Sequence, residues 1–311
     1  MDLYERLFSR DEDVPEWARF MKAKPLRTLL GIMSSDLDRR GMRHVVDVAG
    51  GVIRFTDQES EARSLGLLNL LQICNHIPES EWPAIVSEHF DRMLRATNEG
   101  GPLLSRLADD FEQARELLKV RLFSADIAGR EFIVAHEPMD DVLAVLVYDL
   151  PDSVATVHRD HVAAWGRPVE ELFEIALANV KASDPVEAQT FAMDEGGALT
   201  LLGSPSHFAA AHALFLGDYL TPEHSLGAVV AIPHRHAVVF HPIVDATVVP
   251  AISAMIRIAQ GMYQEGPGSI SLNLYWWHDG EFLLLPCQVT DKEISFSPPD
   301  AFIDVLNQVM S

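Results

Sequence analysis

The stretch SLNLYWWHDGEFLLL, Ser271 to Leu285, decides the fold class. Two apolar runs, Ser271 to Trp277 and Phe282 to Leu285, flank Asp279-Gly280. An Asp-Gly pair between apolar runs favours a tight hairpin, because glycine accepts positive φ. Side chains alternate across a strand, so Trp276 and Trp277 are expected on opposite faces, one in the core and one at its rim. A second turn, Asp194-Glu-Gly-Gly197, separates the strand-like runs Glu187 to Met193 and Ala198 to Leu202. A doubly wound parallel sheet needs a sustained βαβ rhythm, which is absent here. Helices and strands are interspersed and hairpins recur, which predicts an α+β fold.

Working outward, the back half reads as mixed structure. Strands are expected at Val120 to Phe123, Phe132 to Ala135, Val142 to Tyr148, Gly227 to Ile232, Ala237 to Phe240 and Ile294 to Phe296. Helices are expected at Arg159 to Trp165, Pro168 to Val180 and Ser206 to Leu216. A long amphipathic helix runs from Asp245 or Thr247 to Tyr263, and a closing helix is capped by Asp300. The front half is richer in helix. Its first 40 residues read as helical and irregular, with breaks at Pro15 and Pro25. His44 to Thr56 reads as two β-segments hinged at Gly50-Gly51. A helix follows over Leu65 to Ile73, Pro78 stops it, and Ser80 caps the next one. Asn98-Glu-Gly-Gly-Pro102 reads as a loop, and Leu103 to Leu118 as a further helix. The expected organisation is a helix-rich N-terminal lobe, residues 1–118, packed on a C-terminal lobe, residues 119–311, with a mixed or antiparallel sheet.

Charge separates the same two parts. Glu131 to Ser311 carries 24 Asp or Glu and 6 Lys or Arg, a balance of −18, whereas Met1 to Arg130 carries 22 and 18. The whole chain of 311 residues has a formal charge of −22. Such a surface repels nucleic acid and anionic lipid and attracts basic protein surfaces. Neither a nucleic-acid partner nor a membrane partner is expected. Met1 to Phe20 has no basic segment followed by an apolar one, so no export signal is expected. No apolar run approaches the ~20 residues of a membrane span. The two cysteines, Cys74 and Cys287, sit among apolar neighbours and are expected to be reduced. A cytoplasmic setting follows as an expectation.

Several segments occur in a familiar order and spacing. Val142 to Asp149 is followed by Val154 to Gly166, ending Ala-Ala-Trp-Gly, and by EELFEIALAN at Glu170 to Asn179. Val229 to Pro233 with Arg235, and GSISLNLYWWHDG at Gly268 to Gly280, come later. Together they resemble the YtpQ-like family of bacterial proteins over roughly His44 to Leu285. That family has no assigned reaction and no catalytic residues to carry over. The resemblance implies a cytosolic α+β protein with a continuous fold across both lobes. The chain departs from the family at Pro233-His-Arg-His236, where the family shows a Pro-Ser-Arg-Asp type of turn.

The main chemical candidates are His234, Arg235, His236 and Trp277. A His-x-His pair on one strand places both imidazoles on one face, a known way to hold a metal. Pro233 places this pair in a turn instead, and His241 falls on the opposite face of the following strand. The expectation is therefore an exposed polar turn and no metal site. His158, Asp160 and His161 lie at a helix start, where an acid is already accounted for by the helix dipole. Asp140-Asp141 and Asp194-Glu195 are carboxylate pairs in positions typical of solvated turns. Trp277 is a candidate for a binding surface, weighed against rim packing. No phosphate-loop, dinucleotide, nucleophile-elbow or zinc-protease motif occurs. The resulting expectation is a non-enzymatic binding or accessory protein with an acidic contact surface, a basic protein partner and no cofactor. The alternatives are a metal-dependent hydrolase built on His234 and His236, and an immunity-type protein that masks a basic partner.

Overall fold

Leu26, Leu29, Leu30, Met33 and Leu37 recur at helical spacing, and all five are buried along one face of α1 (Ala23–Arg39) in the computed structural model. The structure describes residues 13–55, 64–127, 129–289 and 294–311. What the sequence suggests for residues 1–12 lies outside the described residues. The chain groups into two compact units, Met1–Gly100 with Glu265–Pro267, and Gly101–Gln264 with Gly268–Ser311. Leu118, the expected boundary, falls within the second unit.

In the first unit the hinge at Gly50-Gly51 joins β1 (His44–Asp47) to β2 (Val52–Phe55), and β3 (Ser64–Gly66) completes a three-stranded antiparallel sheet. Leu65 therefore belongs to a strand, and the helix expected there, α2, spans Leu68–Asn75. Its Leu70, Leu71 and Cys74 share a core with the apolar face of α1 and with Trp82, Val86 and Phe90. The last three begin α3 (Trp82–Asp109). Asp36, almost fully buried in α1, is held by ion pairs to Arg39 and Arg40.

The loop expected at Asn98 to Pro102 is helical, because α3 continues through it with Pro102 inside. Proline removes one intrahelical hydrogen bond and disfavours the turn before it. Buried residues on either side, Phe90 in the first unit and Leu107 in the second, stabilise the helix beyond what local propensity dictates.

The second unit is α+β with antiparallel pairing throughout. It opens with α4 (Phe111–Leu117), capped by Asp110, whose carboxylate accepts from the Gln113 N–H. Strand β4 (Leu118–Ser124) follows. The strand expected at Phe132 to Ala135 lies later, at β5 (Ala135–Met139), with Ile133 making only an isolated bridge to His158. β6 (Val142–Leu150) pairs with β4 on one edge, and with β5 and β7 (Ser153–Thr156) in tandem on the other. Two helices, α5 (Arg159–Trp165) and α6 (Val169–Ser183), precede a larger sheet.

The larger sheet contains β8 (Glu187–Ala192), β9 (Ala198–Gly203), β10 (Ala228–His234), β11 (Ala237–Pro242), β12 (Leu274–His278) and β13 (Glu281–Leu285). Its order is β13-β12-β10-β11-β9-β8, so β8 is an edge. A 3-10 segment, Ala209–Tyr219, replaces the expected helix at Ser206 to Leu216. Ahead of that segment the Ser206 hydroxyl accepts from the Phe208 N–H. Helix α7 (Val248–Glu265) covers one face, and a short hairpin of β14 (Cys287–Val289) and β15 (Ile294–Phe296) leads to α8 (Asp300–Met310).

Alternation fixes both faces of the large sheet. Val229, Ala231, Val239 and Leu274 pack with Ile252, Met255, Ile256 and Phe302 of the helices. Ala228, Val230, Ile232, Val238 and Tyr275 share a second core with Leu118, Val120 and Leu122 of β4 and Ala144, Leu146 and Tyr148 of β6. Trp276 joins the helix-side core and Trp277 the inter-sheet core, on opposite faces as alternation requires. The turn between β12 and β13 is the tight one expected, with φ of 49° at Asp279 and 87° at Gly280.

Candidate functional site

The turn His234-Arg235-His236 joins β10 to β11, with His234 paired to Ala237. It is not the exposed turn that its polarity suggests. Arg235 is 6% exposed, and His234 and His236 are half-buried. The backbone explains this burial. The Arg235 N–H donates to the Gly268 carbonyl, the Arg235 carbonyl accepts from Ala210 N–H, and the His236 carbonyl accepts from Ser204 N–H. Segments on both sides therefore close over the turn and draw its central side chain inward.

Both ring nitrogens of His236 are committed to the protein. His236 Nδ1 donates to the carbonyls of Ser204 and Ser206, at 3.2 and 2.9 Å. That bond sets the tautomer, leaving Nε2 to accept from Arg235 Nε at 2.9 Å. Burial, followed by the charge of Arg235, lowers the His236 pKa, so the ring is neutral at pH 7. His234 Nδ1 accepts from the His236 N–H. His241 lies on the opposite side of β11, its Nδ1 donating to the Ala198 carbonyl at 2.8 Å. Among the described residues no three His, Cys, Asp or Glu side chains gather as a metal-holding group.

The other candidates have local structural partners. His158 caps α5 by accepting from the Asp160 N–H, and His161 Nδ1 bonds the Tyr148 hydroxyl at 2.9 Å. Asp140-Asp141 forms the two-residue turn between β5 and β6, where Asp141 takes a φ of 64°. Asp194-Glu195 sits exposed in the turn between β8 and β9. Trp277 is half-buried, with its ring packed against Gly217. A hollow of about 420 Å³ includes His136 and Glu281 but has no Ser, Thr, Cys or Lys in its lining. A second, of about 440 Å³, is lined by Ser124, Asp126, Tyr263 and Ser271 without a His or Lys base.

What sequence reasoning passed over is the open edge of the large sheet. All six residues of β8 are exposed, including Phe191 at 52%. The register runs from Glu187↔Gly203 to Ala192↔Ala198. Beyond its end, Met193 N–H donates to the Gly197 carbonyl at 3.0 Å. Hydrogen-bonded pairs alternate in an antiparallel ladder, so Phe191, Gln189 and Glu187 bond to β9. Ala188, Thr190 and Ala192 then direct their backbone N–H and C=O groups to the open side. The 3.2 Å contact between the Thr190 and Thr200 hydroxyls fits this phase, because side chains approach more closely at non-hydrogen-bonded pairs.

Exposed edges are ordinarily blunted by lysine, proline, a bulge or a covering element. β8 has no lysine or proline, and its register is unbroken. From Ala182 to His234 the sequence has six acids, Asp184, Glu187, Asp194, Glu195, Asp218 and Glu223, and no Lys or Arg. The signal was legible as a basic-free stretch, but its position at an edge was not. No family model, curated protein or solved structure matches this chain.

Proposed function

We propose that the chain is a non-enzymatic binding protein that takes up a basic, extended protein segment along β8. The observation that carries this reading is an edge strand with every side chain exposed and a row of open backbone groups. An added strand satisfies those groups, and side-chain contacts then supply specificity. Phe191 offers the apolar anchor, and Glu187, Asp194 and Glu195 favour lysine or arginine on the partner. A second copy of this chain would bring the same negative charge to the contact, which disfavours self-pairing through β8.

The engagement of both His236 ring nitrogens, by the Ser204 and Ser206 carbonyls and by Arg235, supports binding over hydrolysis. The YtpQ-like resemblance, to a family without an assigned reaction, fits the same role, and so does an immunity-type masking of a basic partner. A cytoplasmic setting belongs to this proposal. Both cysteines are free thiols, and no helix among the described residues is long and apolar enough to cross a membrane.

Fluorescence anisotropy tests the reading with a labelled peptide that alternates lysine with valine. The full chain should bind it, and raising the salt from 50 to about 500 mM should weaken the complex by shortening the reach of charge attraction. Phe191→Glu should abolish binding. Equal affinity for a glutamate–valine peptide, or binding unchanged by Phe191→Glu, would reject β8 as the docking edge.

A further inference from the structure

Alternation divides β8 into two faces of different chemistry. Glu187, Gln189 and Phe191 stand opposite Gly203, Leu201 and Leu199. Leu199 is buried in the core that α7 covers, and Leu201 packs against that core. The three β8 side chains therefore share the α7 side of the sheet. The Gln189 amide donates to the Glu187 carboxylate at 3.3 Å, which places these two on one face directly. Ala188, Thr190 and Ala192 stand opposite Leu202, Thr200 and Ala198, on the side of the inter-sheet core that contains Leu202. One face of the edge thus presents an acid, an amide and an aromatic ring in chain order. The other presents only small side chains.

The ladder phase decides which face reads an added strand. The open backbone groups belong to Ala188, Thr190 and Ala192, so in antiparallel pairing these three make the hydrogen-bonded pairs. Partner residues opposite Glu187, Gln189 and Phe191 then fall in non-hydrogen-bonded pairs. Their Cα atoms lie about 4.5 Å apart, against about 5.5 Å in the other kind. Side chains approach most closely there, and cross-strand preferences are expressed there. The face with the varied chemistry is therefore also the face in closer contact. The strand pairs of the larger sheet are antiparallel, and such ladders are slightly more stable per residue than parallel ones.

We propose that the segment docked on β8 runs antiparallel to it and is read at alternate positions in a fixed order. An apolar or aromatic residue stands opposite Phe191. An amide or hydroxyl residue two places on stands opposite Gln189. A lysine or arginine two places further stands opposite Glu187. The residues between them face Ala188 and Thr190, contribute ladder bonds and suit β-branched side chains. A second basic residue, two places before the apolar one, lies toward the turn that carries Asp194 and Glu195. From Ala182 to His234 there is no Lys or Arg, so this stretch offers an acidic partner no counter-charge. The order rests on docking along β8 and goes beyond it. A uniform alternation of lysine and valine cannot satisfy it, because one face of that strand carries a single residue type.

Fluorescence anisotropy on the full chain tests the order with three end-blocked, labelled peptides. The ordered peptide carries phenylalanine, glutamine and lysine at alternate positions, with threonine between them. The reversed peptide has the same residues in the opposite order and hence the same charge. The lysine–valine peptide reports docking alone. The ordered peptide should bind about fivefold more tightly than the reversed one, the order of two cross-strand pairs misplaced. That comparison needs no variant. Glu187→Lys should weaken the ordered peptide, and glutamate in place of the peptide's lysine should restore affinity to that variant. Glutamate in place of the peptide's phenylalanine should not. Equal affinity for the ordered and reversed peptides, or no rescue by the charge exchange, would overturn the order. In either case binding of the lysine–valine peptide would leave docking on β8 standing. Failure of all three peptides to bind would reject docking itself, and the order with it.

Discussion

Proline placed at neighbouring positions of β8 should act in opposite ways. Gln189 pairs with Leu201, and Thr190 with Thr200. The ladder phase gives Gln189 an N–H that bonds to β9 and Thr190 an N–H that points to the open side. Gln189→Pro removes one ladder bond, worth about 0.5–1.5 kcal/mol net, and leaves the Leu201 carbonyl without its donor, about 1–3 kcal/mol more. The expected loss is about 1.5–4.5 kcal/mol. Thr190→Pro breaks no ladder bond. It loses only an exposed contact between the Thr190 and Thr200 hydroxyls, so stability should stay within about 1 kcal/mol of the parent chain. Proline at an outward-facing edge position is tolerated in sheets, and the residue before it is already extended. Urea unfolding followed by circular dichroism measures both variants, and peptide anisotropy measures binding. Thr190→Pro should fold normally and fail to bind the basic peptide. Equal destabilisation by the two prolines would show that the ladder phase is wrong. A well-folded Thr190→Pro variant with parental affinity would refute docking along this edge.

Two further outcomes concern charge and thiols. Burial raises the Asp184 pKa, but hydrogen bonds from Lys119, Ser206 and Ser183 outweigh it and hold the carboxyl below its ordinary 3.8. A depressed carboxylate pKa stabilises the fold above the unfolded value, and that stability is lost as pH falls through the folded one. Acid titration should therefore begin to destabilise the second unit below about pH 4. Asp184→Asn should cost about 3 kcal/mol at pH 7, at the low end for a broken buried pair because Asp149 still faces Lys119. An unchanged urea midpoint at pH 7 would contradict that role. Burial pushes the Cys74 thiol up to about 11, so iodoacetamide at pH 8 should leave it unmodified in the native chain and label it after unfolding. Rapid native labelling of Cys74, read by peptide mass analysis, would show that this part of the core opens readily.

Short-range signals read correctly where the determining interaction is local. Asp279-Gly280 turns tightly because two consecutive residues adopt positive φ, and Trp276 and Trp277 separate because strand side chains alternate. The α+β class follows from the same hairpins. Signals failed where distant contacts decide. Asn98 to Pro102 has the composition of a loop, yet lies within α3, because packing at both ends of the helix overrides a proline and two glycines. His234-Arg235-His236 looks like a solvated turn. Ser204, Ala210 and Gly268 bond its backbone and bury Arg235. The acidity of the region around β8 could be counted from the sequence, but its place at an open edge depends on the order of strands. Only the tertiary structure decides such placements, because burial and strand order depend on distances in space that no local pattern encodes.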